Sequence, residues 1–250
     1  MTALHGLFAV RQYCRGAGVL LCRDGDRAGG AGAIEGEDGK GGHDRVDCGG
    51  RFVVGWFGKS IAGMMTSMDI VEIVPPDFDV NVALAYATAA NITGRPIYRN
   101  PRCWLHRTAA QHLRRAIDLA AVLGLRLRIF DALRPTEAQW TLWNAEPNPD
   151  FLADPRRGSP HSRGVAVDLT LLDREGRELD MGTPFDAFTT RSHHANTDVS
   201  VDAQRNRLLL LGLMTAAGWD FYRNEWWHYQ LFDARRFPLV ADADLPQPMM

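Results

Sequence analysis

The sequence predicts an α+β domain, a central antiparallel sheet packed by helices, with a Gly-rich extension ahead of it. Three observations lead there. Residues 107 to 123 keep Leu113, Ala116, Ile117, Ala120 and Leu123 on one helical face and stop at Gly124. The next six residues, Leu125-Arg-Leu-Arg-Ile-Phe130, alternate at the period of a strand. Elsewhere the two patterns come in blocks joined by short hairpins, unlike the regular strand-helix alternation of a parallel sheet.

Residues 1 to 67 hold 16 of the 24 glycines, and runs such as Gly29-Gly-Ala-Gly32 and Gly39-Lys-Gly-Gly42 cannot pack a core. They read as a flexible extension, or as sequence upstream of a start at Met65 or Met68, before one domain spanning 68 to 250. Asp69-Ile-Val-Glu-Ile-Val74 is a short strand closed by Pro75-Pro76, and Tyr86 to Pro96 is irregular, with turn residues at its end. Asp131-Ala-Leu-Arg134-Pro135 follows the strand of 125 to 130, and Thr136 with Gln139 can cap the next helix. Residues 144 to 160 form a Pro/Asn/Asp-rich loop.

From Val165 to Leu171 the odd positions share one strand face, while Ala166, Asp168 and Thr170 share the other. Asp173-Arg-Glu-Gly176 turns the chain, and Asp180 to Asp186 is loop-like. A helix over 202 to 217 carries Leu208, Leu211 and Met214 as its core stripe and ends at Gly218. Trp219 to Tyr222 and Glu225 to Leu231 make a hairpin about Arg223-Asn224, and the tail after Asp244 is expected to be loose.

A chain of 250 residues, 46% hydrophobic, can bury one sizeable core. A formal net charge of −2 gives no basic footprint, so nucleic acid is not an expected partner. No run approaches the roughly 18 apolar residues of a membrane span. The apolar pieces Ala3 to Val10 and Ala17 to Cys22 are interrupted by Arg11 and Arg15 and do not form a secretory signal. Cysteines 14, 22, 48 and 103 match neither a zinc spacing nor a disulfide framework, so a cytoplasmic setting with reduced thiols is expected.

Chemistry concentrates in Ser159-Pro-His161-Ser-Arg-Gly164-Val-Ala-Val-Asp168 and in Glu225-Trp-Trp-His228-Tyr229. His161, Asp168 and His228 make a two-histidine, one-carboxylate set, which on tetrahedral zinc leaves a position open, as in catalytic sites. Glu225 would then be the general base. It lies three residues from His228, so both reach one metal only if the chain bends there. Asp131 and Arg134 at a strand-to-helix junction suit a site, and equally a capping aspartate beside a solvated arginine. His193 and His194 rank below the other histidines as ligands, because polar flanks suggest an exposed segment.

These strings resemble the zinc signature of the VanX-type D-alanyl-D-alanine dipeptidases, part of a wider group of zinc D,D-peptidases that includes D,D-carboxypeptidases. Tyr86-Ala-Thr, Asn91-Ile-Thr-Gly94, Asp131-Ala-Leu-Arg134-Pro and Met181-Gly-Thr-Pro-Phe-Asp186 match as well, in the expected order over about residues 68 to 238. The resemblance implies a single zinc peptidase domain holding one Zn2+ on His161, Asp168 and His228, with Glu225 as catalytic base. It implies that Arg134 steadies the oxyanion, that Ser159 and Tyr86 sit near the carboxylate of a small dipeptide substrate, and that Asp186 sits near its ammonium. Pro160 departs from the pattern by removing a backbone donor beside that carboxylate contact, and residues 1 to 67 have no counterpart in it. Two rival readings are a D,D-carboxypeptidase acting on peptidoglycan stems, and a silent zinc-binding module recognising a partner through Trp140, Trp143, Trp226 and Trp227.

Overall fold

A computed structural model of the chain describes residues 69–250, so the expected extension over 1 to 67 lies outside the described residues. The elements are strands β1 (Ile70–Glu72), β2 (Val80–Val82), β3 (Trp104–His106), β4 (Arg126–Asp131), β5 (Ala166–Leu172), β6 (Asp220–Phe221) and β7 (His228–Gln230), with helices α1 (Arg107–Val122), α2 (Thr136–Ala145) and α3 (Val201–Ala216). β1 and β3 form a two-stranded antiparallel sheet. The main sheet has the order β2-β4-β5-β7-β6. Only the β2–β4 pair runs parallel; β4–β5, β5–β7 and β6–β7 are antiparallel, as the block pattern implied.

β5 is the centre of the sheet, and all seven of its residues are buried. Val167, Leu169 and Leu171 join a core with Leu113 of α1, Leu127 and Ile129 of β4, and Leu210 of α3. Burying each such side chain contributes about 1.5–3 kcal/mol. That packing holds one face of β5 against the core, so alternation places Asp168 on the other face. Opposite it, the β4–β5 register shifts between Ile129 and Asp131, and the bulge pairs Asp131 with Asp168.

Helix α1 starts where His106 Nδ1 accepts a bond from Thr108 N at 3.1 Å, and it ends at Gly124, whose φ is +70°. Helix α3 occupies the expected stretch with a different buried face. Leu208 is 67% exposed, whereas Ala203, Arg207, Leu210, Leu213 and Met214 are buried. The run Leu208-Leu-Leu-Leu is apolar all round, so periodicity cannot fix the helix phase; the buried bonds of Arg207 do.

Three further expectations are corrected. The expected hairpin is present, with β6 and β7 paired antiparallel, but Arg223-Asn224 lie in a longer connection of residues 222 to 227 and the second strand starts at His228 in place of Glu225. The tail is not loose: Leu245 and Met249 are buried, and Met249 O accepts bonds from Arg99 N at 2.7 Å and Asn100 N at 3.0 Å. Thr136 and Gln139 do not cap α2, whose N-cap is Pro135 with no side-chain bond. Among the described residues, no helix is long and apolar enough to cross a membrane.

Gly164 joins the helical turn His161–Arg163 to β5 with φ +65°, and a Cβ there would lie 3.1 Å from both His106 N and Leu133 Cδ1. Gly164→Ala should therefore cost about 1–2 kcal/mol for the left-handed backbone alone. The check is a urea titration, in which the midpoint falls at unchanged slope.

Candidate active site

His161, Asp168, His228, Glu225, Arg134, Ser159, Tyr86 and Asp186 all line one cavity of about 210 Å³. It is smaller than the roughly 300–1,000 Å³ typical of drug-sized ligands, and its scale suits a short peptide. Asp168 comes from β5 and His228 from β7, where the two are register partners. His161 opens the short turn before β5. Three donors from adjacent, rigid backbone thus face one point.

The three donor atoms form a small triangle. His161 Nε2 lies 3.1 Å from His228 Nδ1 and 3.3 Å from Asp168 Oδ1, and His228 Nδ1 lies 3.0 Å from Asp168 Oδ1. The opposite edge of each ring is already engaged. His161 Nδ1 is 2.7 Å from the Ala132 carbonyl, and His228 Nε2 is 3.1 Å from Gln230 Oε1. Protons assigned to those outer nitrogens leave both inner nitrogens as bare lone pairs beside a carboxylate oxygen.

Three mutually facing acceptors repel unless a cation sits between them. Ligands at about 2.0–2.1 Å on tetrahedral zinc stand roughly 3.3 Å apart, close to the edges of this triangle. The residues present therefore fit a zinc ion, with the outer bonds fixing ring tautomer and orientation.

Arg134 is buried beside the triangle. Its Nε donates to Asp131 Oδ2 at 2.9 Å and its Nη1 to Gln139 Oε1 at 2.9 Å, while Nη2 stands 3.6 Å from Asp168 Oδ2. Gln139 is in turn anchored on the Ala153 carbonyl, and Asp131 on the Tyr98 hydroxyl. The solvated-arginine reading is thereby removed, and Gln139 serves this network in place of the expected cap.

Glu225 lies in the 222–227 connection, its N–H bonded to the Tyr222 carbonyl at 3.2 Å, with Oε2 3.8 Å from His228 Nδ1. Asp186 has φ 59°, a left-handed backbone uncommon for a residue with a side chain. Its Oδ1 accepts from Tyr86 at 3.2 Å, and its buried Oδ2 has no partner. Ser159 Oγ accepts from His161 N at 3.2 Å, which leaves its own proton to donate.

The cavity is overcharged. Three carboxyl groups, Asp168, Asp186 and Glu225, line it with one guanidinium, that of Arg134, which Asp131 already pairs from behind. Burial pushes Glu225 well above the usual carboxylate range, with Asp168 and Asp186 adding to the rise. Burial also lifts Asp186 to about 7, opposed by Arg134 and assisted by Asp168. A divalent cation relieves both.

The family model described as D-Ala-D-Ala dipeptidase, Peptidase_M15, matches residues 65–246. The chain belongs to the M15 peptidase family. The D-alanyl-D-alanine dipeptidase of Escherichia coli (strain K12) is 47% identical over 175 residues, covering 70% of this chain and 89% of that protein. Those of Enterococcus faecium and Enterococcus faecalis (strain ATCC 700802 / V583) are 37% and 35% identical over 169 residues, each covering 59% of this chain and 84% of the relative. The chain is accordingly a metallopeptidase, and M15 peptidases are in general zinc-dependent.

In this M15 peptidase His194 is no exposed ligand. It is 9% exposed and packs on Phe221 and Tyr229, and burial lowers its pKa to about 4, with Arg207 contributing. Gln230 was not anticipated from the sequence, although a polar residue two positions after His228 shares its strand face. The Ala132 carbonyl leaves no mark in the sequence. Gln230→Ala should lower metal affinity about 10- to 100-fold, as loss of an outer hydrogen bond to a ligating histidine does. Competition against a chelator, with wild type alongside, measures the change.

Proposed function

We propose that this peptidase is a zinc enzyme, one ion per chain, that hydrolyses D-alanyl-D-alanine to free D-alanine in cell-wall precursor turnover or glycopeptide resistance. One observation carries the reading: a triangle of three buried ligand atoms, a buried carboxylate just outside it and an unpartnered carboxylate oxygen line the same small cavity. The shared name of the three relatives supports the substrate. A cytoplasmic setting belongs to the same proposal and suits the buried free thiol of Cys103.

His161, Asp168 and His228 would hold the ion, which when bound supplies Lewis acidity and lowers the pKa of water in contact with it towards about 7. Glu225 takes the proton of the attacking water and returns it to the leaving amine, and its raised proton affinity suits both steps. Arg134 stays protonated and aims a locked guanidinium at the oxygen on which charge grows. Ser159 donates its free proton at the carboxylate end of the substrate. Tyr86, between Asp186 and Arg134, aligns the two ends.

Asp186 selects the dipeptide. Its unpartnered Oδ2 awaits a donor, and a free ammonium supplies one with its charge, whereas the amide of a longer peptide loses the ion pair. That favours a dipeptidase over a carboxypeptidase acting on stem peptides. The silent-module reading loses half of its aromatic surface, since Trp226 and Trp227 are buried and only Trp140 of the four is exposed.

Glu225→Gln should keep its zinc and lose about 100- to 10,000-fold in kcat on D-Ala-D-Ala, whereas His161→Ala should lose the metal. Equal zinc content in wild type and His161→Ala would remove the ligand assignment. With protein groups alone, burial lifts Asp186 to about 7, and because a cation and the substrate ammonium both lower it from there, the group becomes neutral and releases the ammonium as pH falls below that value. The kcat/KM for the dipeptide should therefore fall on acidification, and Asp186→Asn should abolish the preference for a free amine over an N-acetylated substrate at any pH.

A further inference from the structure

We propose that Arg207, on the far side of the cavity wall, is a positioning residue that holds the two segments carrying Asp186 and Glu225. The proposal rests on the roles given to those two carboxylates above. Arg207 does not line the catalytic cavity, so it cannot touch substrate there.

It is a buried cation whose hydrogen-bond partners are all neutral. Nε donates to the Met181 carbonyl at 2.7 Å, Nη1 to the carbonyls of Arg191 at 2.8 Å and His193 at 3.2 Å, and Nη2 to Thr183 Oγ1 at 3.4 Å. These acceptors bracket the loop that presents Asp186. Within residues 181 to 193 the regular structure is one helical turn, Thr190–Ser192, so no strand pairing fixes the loop. Asp186 nevertheless keeps a left-handed backbone, which persists only where its surroundings impose it.

The same loop grips the connection that bears Glu225. Trp226 N donates to the Ser192 carbonyl at 3.1 Å, and His194 N donates to the Arg223 carbonyl at 2.9 Å. Trp226 Nε1 donates at 2.9 Å to Thr183 Oγ1, the hydroxyl that Arg207 also meets. Ser192 Oγ, 3.1 Å from Thr183 Oγ1, donates to the Ala187 carbonyl at 2.6 Å. Both walls of the cavity are thus referred to one guanidinium.

The choice of side chain follows from geometry. Buried carbonyls at 181, 191 and 193 need donors in different directions, and the planar fork of arginine supplies them. A lysine offers its donors from a single atom and cannot span the three, and an apolar residue satisfies none. The zinc triangle is built on β5, β7 and the His161 turn, so it does not depend on this device.

The test compares full-length wild type, Arg207→Lys and Arg207→Ala, with zinc content and the ratio of kcat/KM for D-Ala-D-Ala to that for N-acetyl-D-Ala-D-Ala as readouts. Arg207→Ala should keep wild-type zinc, and both its kcat and its ratio should fall about 10- to 100-fold, the scale of a misplaced reacting group. Arg207→Lys should recover part of the loss, and guanidinium added below denaturing concentration should rescue Arg207→Ala only. Leu210→Ala, a core change on the same helix, should lower stability and leave the ratio alone. Should Arg207→Ala fail to fold, Thr183→Val breaks the link to Trp226 and should shift the ratio the same way. A wild-type ratio in folded, zinc-loaded Arg207→Ala, or in Thr183→Val in its place, overturns the proposal. A wild type without preference for the free amine overturns the reading of Asp186, and this inference with it.

Discussion

The structure depends on three donor atoms held 3.0–3.3 Å apart. With a proton on each outer ring nitrogen, the inner lone pairs would push such a triangle open unless it is held. It stays closed because each donor is fixed from behind. The core face of β5 sets Asp168, the Ala132 carbonyl sets His161, and Gln230 sets His228. The left-handed Gly164 lets the His161 turn run straight into β5, and the bulge at Asp131 brings Arg134 alongside. Each of these devices costs stability locally, and the large apolar core offsets them.

The site is divided by rigidity. The donor triangle belongs to the centre of the sheet, where a shift of any ligand would disturb the packing of Val167, Leu169 and Tyr229. The groups assigned to substrate belong to loops, which need separate anchors. Arg134 is tied to Asp131 and Gln139, and Asp186 to Tyr86. Metal affinity and substrate selection can therefore be altered independently, which is the reason zinc content separates the two kinds of variant.

How much of this was legible in the sequence depended on whether a signal was local. Strand alternation put Asp168 opposite the apolar face of β5, and the structure agrees. The helical period found α1 and its stop at Gly124, whereas its His106 cap was not read. The phase of α3 could not be read, because four consecutive leucines present an apolar residue in every direction and the deciding group was the charged Arg207. The short strands β2 and β3 are three residues each and owe their existence to pairing with β4 and β1, contacts that no window of sequence contains. Gln139 was misread as a cap because its partners, Arg134 and the Ala153 carbonyl, come together only in the fold.

The spacing of Glu225 and His228 looked like an obstacle and is the feature that separates the proposed base from the proposed ligand. Three residues apart on a continued strand, the two side chains would face opposite sides of the sheet. Starting β7 only at His228 and turning the chain through 222–227 returns Glu225 to the same side. It returns at 3.8 Å from His228 Nδ1, farther than the edges of the triangle. A carboxylate brought closer would join Asp168 as a ligand and close the open position. One held farther out, towards solvent, would lose the burial and the neighbouring negative charges that raise its proton affinity. The length of that connection therefore decides whether Glu225 would join the donor set or stand beside it.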